Sequence, residues 1–106
     1  MSNPKSKQAE IEFFLLQAKK NFDKGDSLKI TNPQMAVLSY SQAITSARMA
    51  LNLAKTGVPH DADLSTIKNN PVNPFKHDVI RARQTTLDYI LNIIREIQDL
   101  GFAVEF

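Results

Sequence analysis

Asn-Pro dipeptides are the feature that most constrains how this chain folds. They occur at residues 3–4, 32–33, 70–71 and 73–74, and the first, second and fourth each precede a long stretch with helical periodicity. An Asn side chain caps a helix by accepting an unpaired backbone N–H, and Pro suits the first helical position, where no N–H donor is needed. These three starts therefore predict three long helices.

Glycines and apolar stripes predict where these helices end and which faces they bury. Gly commonly follows the last helical residue, and side chains that recur every three or four residues share one face. The predicted helices are about Pro4–Lys24 followed by Gly25, Pro33–Lys55 followed by Gly57, and Pro74–Leu100 followed by Gly101. Their predicted core stripes are Ile11, Phe14, Leu15, Ala18 and Phe22; Val37, Tyr40, Ile44, Ala47, Leu51 and Ala54; and Ile80, Leu87, Ile90, Leu91, Ile94 and Ile97.

Two stretches lie outside the long helices. Residues 58–74 form an irregular connection, in which we predict a short helix after an Asp61 cap. Residues 102–106 read "FAVEF", apolar at alternate positions. That stretch either docks on the bundle, adds to a partner or frays as chain ends commonly do. The predicted fold class is all-α, with residues 1–106 forming one up-down bundle of three long helices and a short connecting helix.

The composition excludes several kinds of site. The chain has no Cys and only two His, which excludes disulfides and thiolate metal sites, so we predict neither a metal nor a cofactor. Thirteen Lys and Arg against eleven Asp and Glu give a net charge of +2, which does not by itself indicate a nucleic-acid partner. No apolar run approaches the roughly 20 residues needed to cross a bilayer, so we expect no membrane partner and a cytoplasmic location.

The candidate chemistry lies in the stretch "VNPFKHDVIRAR". Asn73, His77 and Arg81 share one face if the last helix starts at Pro74. The positive end of the helix dipole would keep His77 neutral, as a general base must be. Arg81 and Arg83 are the candidate anion- or nucleic-acid-binding residues, since guanidinium groups bind phosphate. The alternative is that Asn73 only caps the helix and that both arginines are solvated.

One part of the sequence resembles the HEPN family. Six residues of the second helix follow the family's pattern "A-x-x-x-Y-x-x-A-x-x-x-A-R-x-x-L", and they are Ala36, Tyr40, Ala43, Ala47, Arg48 and Leu51. The resemblance implies a small helical bundle, commonly dimeric, from toxin–antitoxin or phage-defence systems. Active members cleave RNA without metal through an Arg-polar-x-x-x-His element. Asn73 and His77 match its polar residue and His, whereas Val72 replaces the Arg that stabilises the transition state.

A second resemblance points to a protein-binding function. The stretch "KKNFDKGDSLKITNPQMAVLSYSQAI" is similar to MIT and TPR-type helical hairpins, and "IRARQTTLDYILNIIREI" resembles the third helix of an MIT domain. We therefore expect a HEPN-like domain that acts through association, as a homo-oligomer or with a protein partner, and that binds RNA near His77. Because Val72 replaces the Arg, we expect catalysis to be impaired or absent. The alternative is a helical protein-binding module or scaffold without catalysis.

Overall fold

The computed structural model describes residues 4–59 and 78–106, with side chains from residue 7 onward. In this part the chain forms three α-helices, which we name α1 (Pro4–Leu28), α2 (Pro33–Thr56) and α3 (Val79–Asp99), and it contains no β-strand. The all-α prediction is therefore confirmed. The predicted short helix after Asp61 lies outside the described residues. Within the described part, no helix is both long enough and apolar enough to cross a bilayer.

Helix α2 begins and ends as predicted. The Asn32 side chain accepts a hydrogen bond from the backbone N–H of Met35 at 3.3 Å, and Pro33 occupies the first turn. At the other end, Gly57 takes the left-handed conformation with φ of 80° and donates its N–H to the Leu53 carbonyl. Both ends follow from residue types whose local preferences agree with the fold.

Helix α1 does not end at Gly25, as the sequence predicted, but continues to Leu28. Gly25 is buried within the helix because the ring of Tyr40 lies against it. A Cβ atom at position 25 would lie only 2.5 Å from Cε1 of Tyr40. Gly25 therefore serves a close approach of α1 and α2 rather than a helix end.

Helix α3 also begins later than predicted. Asp78 has non-helical backbone angles, with φ of −119° and ψ of 86°, and its carboxylate accepts a hydrogen bond from the N–H of Arg81. Asp78, and not Asn73, is therefore the N-cap of α3. Asp is as good a cap as Asn, so local chemistry did not decide between the two positions.

The core lies on α2, which is the central helix. Helix α2 packs along both α1 and α3, whereas the backbones of α1 and α3 make no comparable contact with each other. Most of the predicted stripes on α1 and α2 are buried, with Phe14 and Leu51 partly buried. On α3 the prediction is less accurate. Ile80 and Leu91 are 79% and 45% exposed, and the stripe missed three buried residues, Ala82, Thr86 and Ile93.

Candidate interaction site

The extended segment 102–106 lies in the groove between α1 and α3. The side chains of this segment alternate as the sequence pattern indicates, with Val104 buried, Phe102 and Phe106 half-buried, and Ala103 and Glu105 exposed. An extended backbone sends successive side chains to opposite sides, so Phe102, Val104 and Phe106 all face the bundle. Of the alternatives that the sequence left open, docking on the bundle is the one that the structure confirms.

Two glutamine side chains hold the backbone of this segment. The Gln8 amide of α1 donates to the carbonyl of Ala103 at 2.7 Å, and the Gln98 amide of α3 donates to the carbonyl of Val104 at 2.7 Å. Because these bonds go to backbone carbonyls, they do not depend on which side chains the segment carries. They hold an extended chain between the two helices in the way that peptide-binding grooves do.

Aromatic contacts fix the two ends of the segment. The Phe106 ring meets the Phe22 ring edge to face, with centroids 5.7 Å apart, and the ammonium group of Lys19 lies 5.6 Å from the centroid of Phe106. At the other end, the ammonium group of Lys7 lies 5.7 Å from the centroid of Phe102. Cations at this distance from a ring are attracted to its negative face. Because Phe102 lies beside Lys7 and Phe106 lies beside Lys19, the segment runs in the same direction as α1.

The segment leaves part of the groove open. A depression of about 670 Å³ lies beside it, and its lining includes Leu15 and Leu16 of α1. Leu16 is 49% exposed there. Apolar and polar side chains both line this depression, as they do in binding grooves for peptides and small ligands.

A cluster of three polar side chains joins all three helices near the Phe22 end of the groove. Asp26 of α1 accepts two hydrogen bonds at Oδ1, from the Tyr40 hydroxyl at 2.5 Å and from Nε of Arg83 at 2.7 Å. The guanidinium carbon of Arg83 also lies 5.0 Å from the centroid of the Phe22 ring. Arg83 therefore bridges α3 to α1, where the two helices otherwise share little contact.

The pKa values of the cluster reflect these contacts. Burial raises the pKa of the Asp26 carboxyl, but the hydrogen bonds from Arg83 and Tyr40 outweigh it and leave that pKa below its ordinary value. The hydrogen bond to Asp26 raises the pKa of Arg83. Burial, followed by the hydrogen bond to Asp26, raises the pKa of the Tyr40 hydroxyl far above its ordinary value. At neutral pH the cluster is thus a carboxylate held by a guanidinium and a neutral phenol.

The predicted anion-binding arginines lie near each other but differ in their surroundings. Arg81 and Arg83 both line a depression of about 780 Å³ at the start of α3, together with Lys29 and Asp78. The Asp78 carboxylate takes one N–H of the first turn and adds a negative charge there, which disfavours a second anion. The Arg83 side chain forms an ion pair with Asp26. The Arg81 side chain is exposed to solvent. The predicted catalytic residues Asn73 and His77, and Val72, lie outside the described residues.

The sequence pattern did not identify the glutamines and lysines that hold the segment. The available signal was the alternation in "FAVEF", which predicts an extended strip with one apolar side but not its location. For Arg83 a signal did exist. Arg83 lies on the same helical face as Leu87 and Ile90. A cation on an apolar face requires a carboxylate or another hydrogen-bond acceptor nearby.

Comparison with protein-family models, with curated proteins and with solved structures found no match for this chain. The likeness to HEPN domains and to MIT or TPR-type hairpins is thus carried only by the motifs in the sequence. Among the described residues, no group of three or more His, Asp or Glu side chains is arranged to hold a metal ion. The groove and the polar cluster are the features of the described residues that bear on function.

Proposed function

We propose that this protein is a non-catalytic helical interaction module that binds an extended peptide between α1 and α3. The observation that carries the proposal is the 102–106 segment, held by side-chain amides at its backbone and by rings and lysines at its ends. The groove selects aromatic, aliphatic and aromatic side chains at alternate positions. This proposal corresponds to the protein-binding alternative from the sequence, with an extended strand in place of a partner helix.

Two features of the described part favour this function over RNA binding. Arg83, one of the two predicted phosphate ligands, is paired with Asp26, and a phosphate would have to displace that carboxylate. The predicted face of Asn73, His77 and Arg81 also required a helix that started at Pro74, whereas α3 starts at Val79. An RNA-binding, HEPN-like domain in a cytoplasmic defence system remains the second proposal, with Arg81 and Lys29 as the cations that line the depression at the start of α3.

The test uses a variant whose own segment is held more weakly in the groove, which we call the emptied background. In Phe102→Ala/Phe106→Ala the chain's own segment loses both rings, and a fluorescent peptide GFAVEF is titrated against it by polarisation. We expect a dissociation constant of roughly 10–100 µM, which corresponds to about −5.5 to −7 kcal/mol. Wild type should bind the peptide about 100-fold more weakly, because its own segment competes at an effective concentration in the millimolar range.

Matched controls make this result specific. Gln8→Ala in the emptied background should weaken binding, whereas Gln17→Ala on the same helix should not, since Gln8 and not Gln17 lines up with the segment and donates to the Ala103 carbonyl. A peptide GAAAEA should not bind. If Phe102→Ala/Phe106→Ala keeps its helical circular dichroism but does not bind GFAVEF, the proposed function is wrong. Degradation of a structured RNA by wild type, lost in His77→Ala, would favour the second proposal instead.

A further inference from the structure

The segment that fills the groove is attached to α3 by a short, adjustable connection. Helix α3 ends at Asp99, and only Leu100 and Gly101 precede Phe102. Gly101 has φ of 101°, which lets the chain turn back along α3. Only Gly adopts this conformation without strain, and Gly adopts negative φ just as readily. A change at Gly101 alone would therefore direct the segment away from its own groove.

No tight packing holds this turn closed. A Cβ placed on Gly101 would meet no atom within 4 Å, so no neighbouring side chain encloses the turn. Leu100 donates its N–H to the carbonyls of Glu96 and Ile97, and two further bonds run from Gly101 to the Gln98 carbonyl at 2.9 Å and from Phe102 to the Ile97 carbonyl at 3.4 Å. The last of these is the weakest by distance, and it is long for an N–H···O bond. The turn is thus held by backbone hydrogen bonds, with open space around Gly101.

The contacts of the segment do not require that it belong to the same chain. Gln8 and Phe22 belong to α1, and Gln8 is 95 residues from Ala103 in sequence. The bond from Gln98 goes to a backbone carbonyl. A segment of identical sequence from a second copy makes every one of these contacts. The exchange therefore costs mainly the entropy of association, and two copies that exchange segments reciprocally form a closed two-fold dimer.

Apolar side chains beside the groove favour this occupant. Leu16 on α1 and Leu100 at the hinge are 49% and 47% exposed. In an exchanged dimer the hinges of the two copies pass between the two bundles, so Leu100 becomes part of the new interface. Covering apolar side chains of this size on association is favourable.

From these observations we propose that segment 102–106 is exchanged between two copies of this chain, so that the groove of each copy binds the segment of the other. The inference rests on the proposed function, because it names the chain itself as the peptide that the groove binds. Gly101 is the hinge, and concentration sets the balance between a self-occupied monomer and an exchanged dimer.

The test is the oligomeric state of the full chain, measured by analytical ultracentrifugation from about 1 to 500 µM. Gly101→Val strains the closed turn, and we expect it to tighten dimerisation by about tenfold for each of the two hinges. Gly57→Val is the matched control, because Gly57 also has positive φ and open space around its Cβ position. It should leave the dimerisation constant unchanged. Adding Phe102→Ala and Phe106→Ala to Gly101→Val should restore the monomer.

Crosslinking shows directly whether the segment is exchanged. Because the chain has no Cys, Gln8→Cys and Ala103→Cys can be introduced in separate copies, mixed at high concentration and treated with a short bismaleimide. Exchange predicts a crosslinked pair of one copy of each variant. The proposal is overturned if Gly101→Val stays monomeric, if its dimer survives loss of both rings, or if no mixed crosslink forms. Binding of GFAVEF to the emptied groove would in that case still support the proposed function.

Discussion

Replacing Arg83 with Gln tests whether this residue stabilises the bundle or serves only to bind a phosphate. Its Nε lies 2.7 Å from Oδ1 of Asp26, and its guanidinium carbon lies 5.0 Å from the centroid of Phe22. Arg83→Gln removes the charge and the ring contact while leaving a polar side chain. Arg81→Gln is the matched control two positions earlier on the same helix, where the arginine is exposed.

The expected loss of stability follows from these contacts. A hydrogen bond to a charged group contributes about 1.5–3 kcal/mol when shielded from water. The two side chains are 36% and 28% exposed, so solvent screening reduces this to about 1 kcal/mol. The ring contact adds about 0.5 kcal/mol. Arg83→Gln should therefore cost about 1.5 kcal/mol, or roughly 6–10 °C in Tm for a domain of this size, while Arg81→Gln should cost less than about 0.5 kcal/mol.

The dependence on pH identifies the ion pair as the cause. The pKa of Asp26 is lowered in the folded protein, so the ion pair contributes fully above the unfolded pKa of about 3.9. That contribution is lost as the pH falls through the lower pKa of the folded state. In urea unfolding followed by circular dichroism, the gap between wild type and Arg83→Gln should narrow between pH 5 and pH 2. A gap that stays constant, or equal losses for both arginine variants, would refute the structural role of Arg83.

Two further substitutions test the packing of the core. Gly25→Ala should lower the free energy of unfolding by about 1–2 kcal/mol, because the clash of the new Cβ with Tyr40 exceeds the gain of about 1 kcal/mol in helix propensity. An increase in stability would show that the Tyr40 ring moves to make room for the new methyl group. Thr86 is fully buried, and its hydroxyl has no hydrogen-bond partner among the described residues, so Thr86→Val should raise stability by about 1 kcal/mol. Thr45→Val should give no such gain in the same urea titration, because the Thr45 hydroxyl donates to the Ser41 carbonyl.

The parts of the fold that sequence predicts best are those that local chemistry decides. The Asn32 cap and the Gly57 end of α2 each need only a few neighbouring residues, and both occur as predicted. At Gly25 the same local rule fails, because burial against Tyr40 outweighs the preference of Gly for helix ends. The start of α3 fails for a related reason, since the capping chemistry of Asn73 and Asp78 is equivalent and only the fold selects one.

Long-range contacts explain what the sequence left open at the candidate site. Asp26 and Arg83 are 57 residues apart, and no local pattern pairs them. The buried face of α3 is set by α2 and by segment 102–106 rather than by α3 alone, which is why Ile80 is exposed and Ile93 is buried. Periodicity locates an apolar face only to within a turn, and the neighbouring elements decide its exact edges.

The arrangement of the helices makes the groove a direct consequence of side-chain size. Small residues on α2, with Ala36, Ala43, Ala47 and Ala50 fully buried, let α1 and α3 both pack closely on the central helix. Helices that share a third helix in this way leave a gap on the far side unless a fourth element closes it. An extended strip of alternating apolar side chains is narrow enough to enter that gap, where a helix about 10 Å wide is not. The contacts that complete the core are therefore also those of a peptide-binding groove. The groove has a structural role when the chain's own segment 102–106 lies in it and a binding role when another peptide does.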